Sequence, residues 1–330
     1  MTSTLTACTT EHLLVTAAAA APSIHNTQPW RFSLAPGTGT LTVHAVPHRA
    51  LPLTDPDTRA LHVSVGAALC NLRAAAVHLG REPVVRLLPR PDAPGQLATV
   101  RLAGRPRLGL LRHPDLYRAI WRRRSCRLPF SPTPVPESVI DELAEAARLD
   151  GAELHRPAPA ESARLLRLTA AADTRNALDP GRTAETLARA ARPGDALGVP
   201  AYASGPLDAA GLLPMRSFGD PRDRPSRDRA PFEPEPRLLL LTTRHDLRAD
   251  WLRAGQALQH VLLLLTLHGL RASMLHQALE WPDLRALMTA GHPDRCAPQM
   301  LLRIGYGPTG FPTPRLRTTA LIDGAPSGGE

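Results

Sequence analysis

Apolar and polar positions along this chain repeat with two different periods, and the changes between them mark out its elements. Residues 7 to 21 are alanine-rich and uninterrupted until Pro22, which predicts a helix ending there. "WRFSL" and "TLTVHAV" alternate with period two across "APGTG", the pattern of a β-hairpin. Residues 57 to 80 read as a long helix closed by Gly80. "PVVRLLP" and "QLATVRLAG" predict two strands, followed by a basic linker and a helix around "LYRAIWRRRSC". Further helices are expected over 137–148 and 161–191. From about 192 to 236, Pro, Asp, Arg and Gly take over, with Pro221, Pro225, Pro231, Pro234 and Pro236 close together. Such a stretch is commonly a cover over a site or a disordered loop, and both readings stay open. "RLLLLTT" predicts a strand, 250–270 and 280–290 predict helices, and "QMLLRIGYG" a closing strand.

The chain also repeats itself. "GAALCNLRAAAVHLG" (66–80) lies on "GQALQHVLLLLTLHG" (255–269) at a constant offset of 189, with Gly, Ala, Leu and the final Gly coincident. Two Ala/Leu-rich helices can match by chance, so the repeat needs support from elsewhere.

The 330 residues, 43% of them hydrophobic, suffice for one large core or two ordinary ones. "VLLLLTL" is far shorter than the about 20 residues of a spanning helix. The first residues lack the basic-then-apolar pattern of a secretory signal, so a cytoplasmic location is expected. Cys8, Cys70, Cys126 and Cys296 have no CxxC spacing, and Pro47 separates His44 from His48, so no metal site is expected. The formal charge of +9 raises the possibility of a nucleic-acid binder. Every basic residue is arginine, as a high-GC coding bias produces, and 4% aromatics leave little for base stacking. Arginine without lysine still favours bidentate grip on anions.

"GYGPTG" (305–310) matches GxGxxG, but Pro308 and Pro312 follow and no helix opens to receive a pyrophosphate, so a tight turn is expected instead. No GxSxG, Walker A or HExxH occurs. "WRRRSCR" (121–127) gathers guanidiniums that can converge on a phosphate with Ser125, or form a solvated helix end. Arg315 and Arg317 make a second basic pair. "PSIHNTQPW" (22–30) concentrates hydrogen-bonding side chains beside Trp30.

That last string resembles the flavin-binding segment of the nitroreductase family, roughly P-S-x-x-N-x-Q-P-W, at Pro22, Ser23, Asn26, Gln28, Pro29 and Trp30. "RRRSCRLPF" resembles the family's Arg-Arg-Ser segment at Arg123, Arg124, Ser125, Arg127 and, one place late, Phe130. The order is reversed relative to ordinary members, where the arginine segment comes first. The repeat explains this if two units are fused and one composite site survives, as in the family's Acg-like branch of single-chain pseudo-dimers. The resemblance implies an α+β fold of two tandem nitroreductase-like units (1–110 and 111–330), each a mainly antiparallel sheet flanked by helices. The 192–236 segment would then be an insertion in the second unit, a lid over the flavin or a disordered surface loop.

The resemblance further implies FMN as cofactor, reduced by NADH or NADPH and reoxidised by a small organic acceptor. Flavin N5 carries the chemistry, so no catalytic side chain is expected. Arg123, Ser125, Arg127 and Arg315, with Arg317 as a further candidate, would hold phosphate, ribityl and pyrimidine edge. Pro22, Ser23 and Asn26 would come from the other half. Leu275, His276 and Gln277 would wall the ring. Gln28 is counted with the cofactor segment, although it and Trp30 suit a locking role better. His25 and Cys126 stand at variable positions of the two motifs. The alternative is a protein that sequesters FMN without turnover; a nucleic-acid binder is a remote one. A monomeric pseudo-dimer, with a further homodimer open, is expected, with no nucleic acid or membrane as partner.

Overall fold

The computed structural model describes residues 2–35, 37–105, 113, 115–192, 194–218, 227–291 and 296–323, with side chains from Thr10 onward. The first part of the chain runs α1 (Thr2–Ala19), β1 (Trp30–Ala35), β2 (Thr40–Ala45), α2 (Arg59–His78), β3 (Pro83–Leu87) and β4 (Gln96–Leu102). β1 and β2 form the expected antiparallel hairpin, with positive φ at Gly37 and Gly39 in its turn. The strands make one antiparallel sheet in the order β1-β2-β4-β3.

The second part opens with α3 (Leu116–Arg122), α4 (Glu137–Leu149) and β5 (Glu153–His155). An excursion follows: α5 (Pro159–Leu178), α6 (Pro180–Ala188), then the two-residue strands β6 (Ala190–Ala191), β7 (Val199–Pro200), β8 (Leu207–Asp208) and β9 (Arg229–Ala230). The chain returns through β10 (Arg237–Thr243), α7 (Arg248–Leu267), β11 (Leu270–Leu275), α8 (Pro282–Met288) and β12 (Ala297–Tyr306). β5, β10, β11 and β12 form a second antiparallel sheet. Taken as helix-strand-strand-helix-strand-strand, both parts place their four strands in the same spatial order, first-second-fourth-third. α2 packs on the first sheet, α7 on the second, and the two helices pack on each other.

Their crossing is built on the two glycines that the repeat aligns. A Cβ on Gly66 would stand 2.8 Å from the Gly255 Cα and 2.2 Å from the Leu252 carbonyl oxygen. A Cβ on Gly255 would stand 2.7 Å from the Gly66 Cα and 2.1 Å from the Val63 carbonyl oxygen. Val63 and Leu252 are themselves 189 residues apart, so the contacts exchange under the offset of the repeat. Only glycine allows backbones this close. α2 is long and apolar enough to cross a membrane by length and composition, which the sequence reading missed, but almost all of it is buried inside the protein.

Several expected elements shift for local reasons. The helix over 161–191 is two helices, broken where Asp179 caps the Arg182 amide at 3.0 Å and Pro180 takes the first helical position. The helix around "LYRAIWRRRSC" stops at Arg122, leaving the arginine motif extended. β5 and β11 were not expected. β5 is three residues long, and β11 follows α7 after a single turn at Gly269. The segment 192–236 holds short strands rather than none; Pro221 and Pro225 lie outside the described residues. So does the expected boundary between residues 110 and 111. "GYGPTG" leads into no helix, and its glycines admit other chain: a Cβ on Gly310 would stand 2.3 Å from the Ser125 carbonyl oxygen.

One buried ionic group and a strap tie the two parts together, and a second ionic group holds the excursion within the second part. Asp150 accepts from Arg73 of α2 at 2.6 Å and pairs with His260 of α7 at 3.0 Å. Burial alone would raise the Asp150 carboxyl, but His260 and Arg73 outweigh it and hold it below the usual range. Arg303 on β12 sits between the Phe130 and Phe232 rings and donates to Glu233 at 2.7 Å, which fastens the far end of the excursion. After β12 the chain crosses back, and Ile322 pairs with Phe32 at the edge of the first sheet.

Gly255→Ala is expected to destabilise the protein by about 1–3 kcal/mol through overpacking at the crossing; a neutral result in denaturant unfolding would contradict the contact. The depressed Asp150 carboxyl contributes stability above its unfolded pKa of about 3.9, lost as pH falls through the lower folded value. The stability gap between wild type and Asp150→Asn should therefore be full at pH 7 and shrink below about pH 4 in pH-resolved unfolding.

Candidate functional site

The extended backbone after α3 explains the spacing of the arginine motif. It brings Arg123, Arg124, Ser125 and Arg127 to a cavity of about 200 Å³, while Cys126 turns inward. Cys126 is buried, its thiol pushed up by that burial, and its Sγ contacts the Pro308 carbonyl at 3.4 Å, so it is a structural residue. The strip is fixed to β11 by a Ser125–Ala272 bridge and a 2.9 Å hydrogen bond from the Cys126 amide to Ala272.

The opposite wall is the "PSIHNTQPW" loop, so Asn26 and Arg123 line the same cavity although one comes from each part of the chain. The loop is strained: His25, Asn26 and Gln28 hold φ of 45°, 54° and 47°. Left-handed backbone costs a non-glycine residue about 1–2 kcal/mol. Dense hydrogen bonding sustains it. The Asn26 amide donates to the Gly198 carbonyl at 2.9 Å and the Pro314 carbonyl at 3.1 Å, and accepts from Arg315 at 2.9 Å. Gln28 donates to the Ala196 carbonyl at 2.7 Å and accepts from the Leu316 amide at 2.9 Å. The Ser23 hydroxyl accepts from the Gln28 amide at 2.9 Å, and Trp30 is fully buried. The loop thus clasps both the returning strap and the excursion.

Electrostatically the cavity is one-sided. Among the described residues Arg123, Arg124, Arg127 and Arg315 line it, and no carboxylate does. Arg123 is buried with its Nε and Nη1 unpartnered among the described residues, and Arg315 Nε is likewise bare. Burial first, then the neighbouring Arg315 and Arg124, push Arg123 down to about 9; burial and Arg124 push Arg315 down to about 10. A buried guanidinium without its partners is costly, and a phosphate supplies what is missing: negative charge and several acceptor oxygens. The residues present therefore fit the phosphate of a flavin mononucleotide.

A second, smaller chamber of about 80 Å³ adjoins the first and shares Pro22, Ser23, His25, Arg127 and Met274 with it. Val63 and Ala67 of α2, Leu258 of α7 and Met300 make its apolar lining. Its polar rim comes from His276 and from Arg216 of the excursion, beside Phe218. Glu280 is buried and holds this rim. It pairs with Arg216, accepts from Asn176 at 2.9 Å and from His276 Nδ1 at 3.0 Å. Arg59 of α2 donates to His276 Nε2 at 2.8 Å. A guanidinium only donates, so His276 is neutral with its proton on Nδ1. Burial would raise the Glu280 carboxyl, yet Arg216 and His276 keep it far below the usual range.

Of the residues expected at the site, Pro22, Ser23, Asn26, Arg123, Ser125, Arg127 and Arg315 line the larger cavity and His276 the smaller. Gln28, Leu275, Gln277 and Arg317 line neither. Gln28 is spent on locking the loop. Strand alternation points Met274 and His276 toward the chambers and turns Leu275 into the core, a signal the sequence carried. Gln277 donates to the Pro214 carbonyl at 3.0 Å, and Arg317 is exposed. Arg216, Phe218 and Glu280 had no local signal, because only the fold brings them to the site.

A family model described as "Nitroreductase family" matches residues 120–306. A provisionally named NAD(P)H nitroreductase of Mycobacterium tuberculosis H37Rv, Rv3131, is 33% identical over 95% of this chain and 91% of its own. The provisionally named NAD(P)H nitroreductase acg of the same strain is 29% identical over 87% of this chain and 86% of its own. Among solved structures, the FMN- and NADPH-dependent nitroreductase NfnB of a Sphingopyxis strain covers 63% of this chain and 97% of its own, at 20% identity and a TM-score of 0.39. A Bacteroides fragilis nitroreductase with bound FMN covers 61% and 93%, at 13% identity and a TM-score of 0.37. With the matched span and these full-length relatives, the chain belongs to the nitroreductase family and stands with its Acg-like members.

Proposed function

We propose that this protein holds one FMN at the seam between its two parts and uses it to pass electrons from NAD(P)H to a small organic acceptor. The observation that carries the reading is Arg123: a buried guanidinium with two bare nitrogens, in a cavity lined, among the described residues, by four arginines and no acid. Arg123, Ser125 and Arg315 would hold the phosphate and ribityl chain, with Pro22, Ser23 and Asn26 facing them. Arg127, shared by both chambers, would stand at the pyrimidine edge, where a cation favours the reduced ring. Met274 and the lining from α2 would wall the isoalloxazine. The bound flavin supplies the hydride chemistry; the protein supplies grip, orientation and exclusion of water. A cytoplasmic setting, where NAD(P)H is available, belongs to the same proposal.

The chain is in this reading a fused pair of family units: 1–110 and 111–330, an intramolecular pseudo-dimer. Supporting it are two sheets of one strand order and helix contacts that exchange under the 189-residue offset. The excursion over 192–236 is read as a lid over the inner chamber. Phe218 meets the His25 ring at 5.4 Å, Arg127 lies 4.7 Å over the Phe218 ring, and Arg216 is tied to Glu280. The same contacts favour a second reading, a flavin holder whose lid hinders turnover.

The purified protein should be yellow, with about one flavin per chain by visible absorbance. Arg123→Ala should weaken FMN binding roughly 10- to 100-fold, the value of about 1.5–3 kcal/mol for a hydrogen-bonded charge. Colourless wild-type protein, or an alanine variant that keeps full affinity, would refute the reading. Anaerobic NAD(P)H should bleach the bound flavin, and faster in Phe218→Ala than in wild type; bleaching in the variant alone would mark the lidded holder, and equal rates in the two proteins dismiss the lid.

A further inference from the structure

With flavin in both chambers, a dinucleotide donor reaches the ring with its nicotinamide alone, and its other end must lie outside them. A third cavity stands where that end would fall. It belongs to the excursion, has a volume of about 730 Å³ and is larger than the two chambers together. Sites for small organic ligands span about 300–1,000 Å³. The groove adjoins both chambers, sharing Val199 and Phe311 with the larger and Phe218 with the smaller. Its floor is pinned to the arginine strip. A Cβ on Gly205, at φ of 66°, would stand 2.5 Å from the Arg127 carbonyl oxygen, and Arg127 donates to the Ala203 carbonyl at 2.8 Å.

The walls carry the chemistry of a nucleotide. Tyr202 is 56% exposed and Phe311 46%, with ring centroids 6.1 Å apart. Aromatic rings left this open offer faces to a planar base. Arg227 is spent on the wall itself: it donates to the Gly205 carbonyl at 2.7 Å, to the Arg216 carbonyl at 3.2 Å and to the Ser204 carbonyl. Arg229 also lines the groove; it is exposed and has no ion pair among the described residues. Such a guanidinium grips phosphate as a bidentate fork. Asp228, exposed between the two arginines, can accept from a ribose hydroxyl or an adenine amino group.

We propose that this groove binds the adenosine phosphate end of a nicotinamide dinucleotide, with the base against Tyr202 and Phe311 and a phosphate on Arg229. The proposal rests on the flavin reading above. The excursion then recognises the donor as well as covering the ring, and Phe218 is the partition between groove and inner chamber.

The test uses the flavin-loaded protein with Tyr202→Ala and Arg229→Gln, at residues that line neither flavin chamber. Flavin content should match wild type, which also checks folding. Calorimetry should show ADP and 2′,5′-ADP bound by wild type, and both bound roughly tenfold more weakly by Tyr202→Ala, the usual scale of a lost base stack. Arg229→Gln should weaken both nucleotides if the arginine holds the pyrophosphate, or 2′,5′-ADP alone if it holds the 2′-phosphate; either result supports the groove. Half-maximal bleaching should require correspondingly more NAD(P)H in the variants. Bleaching by 1-benzyl-1,4-dihydronicotinamide, which has no adenosine end, should not change. Wild-type protein that binds neither nucleotide, or variants that lose the dinucleotide and the benzyl donor equally, would overturn the proposal. Colourless wild-type protein would instead defeat the flavin reading, whereas yellow protein with nucleotide affinity indifferent to both substitutions would defeat only the groove.

Discussion

Everything in this molecule follows from how closely two helices can cross. α2 and α7 meet at Gly66 and Gly255 with their backbones in contact, and each helix carries a sheet on its other side. The distance between the sheets, and hence the seam that the loop, the arginine strip and the strap all enter, is set at that crossing. Side chains there would push the layers apart and open the cavity between Asn26 and Arg123. The ionic group of Arg73, Asp150 and His260 fixes the rotation of the same pair.

The site is a product of the seam rather than of either part. One part offers a strained loop whose polar atoms are largely consumed in holding its own shape and gripping the other part. The other offers guanidiniums on an extended strip, pressed together without counter-charge. Neither arrangement is stable in isolation: the strain needs the strap and the excursion, and the buried cations need an anion. Cost in the folded protein thus gathers where a ligand relieves it, as at other functional sites.

Much of this was legible in the sequence because the chemistry is local. Pro-Ser-x-x-Asn-x-Gln-Pro-Trp and Arg-x-Ser-x-Arg are short, and the aligned glycines of the repeat mark the helix crossing directly. What was not legible depends on distance or on weak local pattern. β5 is too short to alternate visibly, and the start of β11 follows so closely on α7 that the helical pattern absorbs it. The resemblance puts Leu275, His276 and Gln277 along the ring wall, whereas of that stretch Met274 and His276 are the ones that reach the chambers. Arg216 and Phe218 stand in a proline-rich stretch whose composition says nothing about what it covers. Glu280 looks like an ordinary acidic helix start until Arg216, Asn176 and His276 converge on it.

The returning strap has a consequence for biosynthesis. Ile322 completes the edge of the first sheet at Phe32, and Arg315 completes the basic wall on the way there. The sheet of β1 to β4 is therefore finished by a residue 290 positions after the strand it joins. Until the strap is out, β1 presents a bare edge and the loop after α1 lacks its clasp. A nascent chain of this protein cannot close around a ligand before Arg315 and Ile322 have been made, and its first sheet waits for that strap.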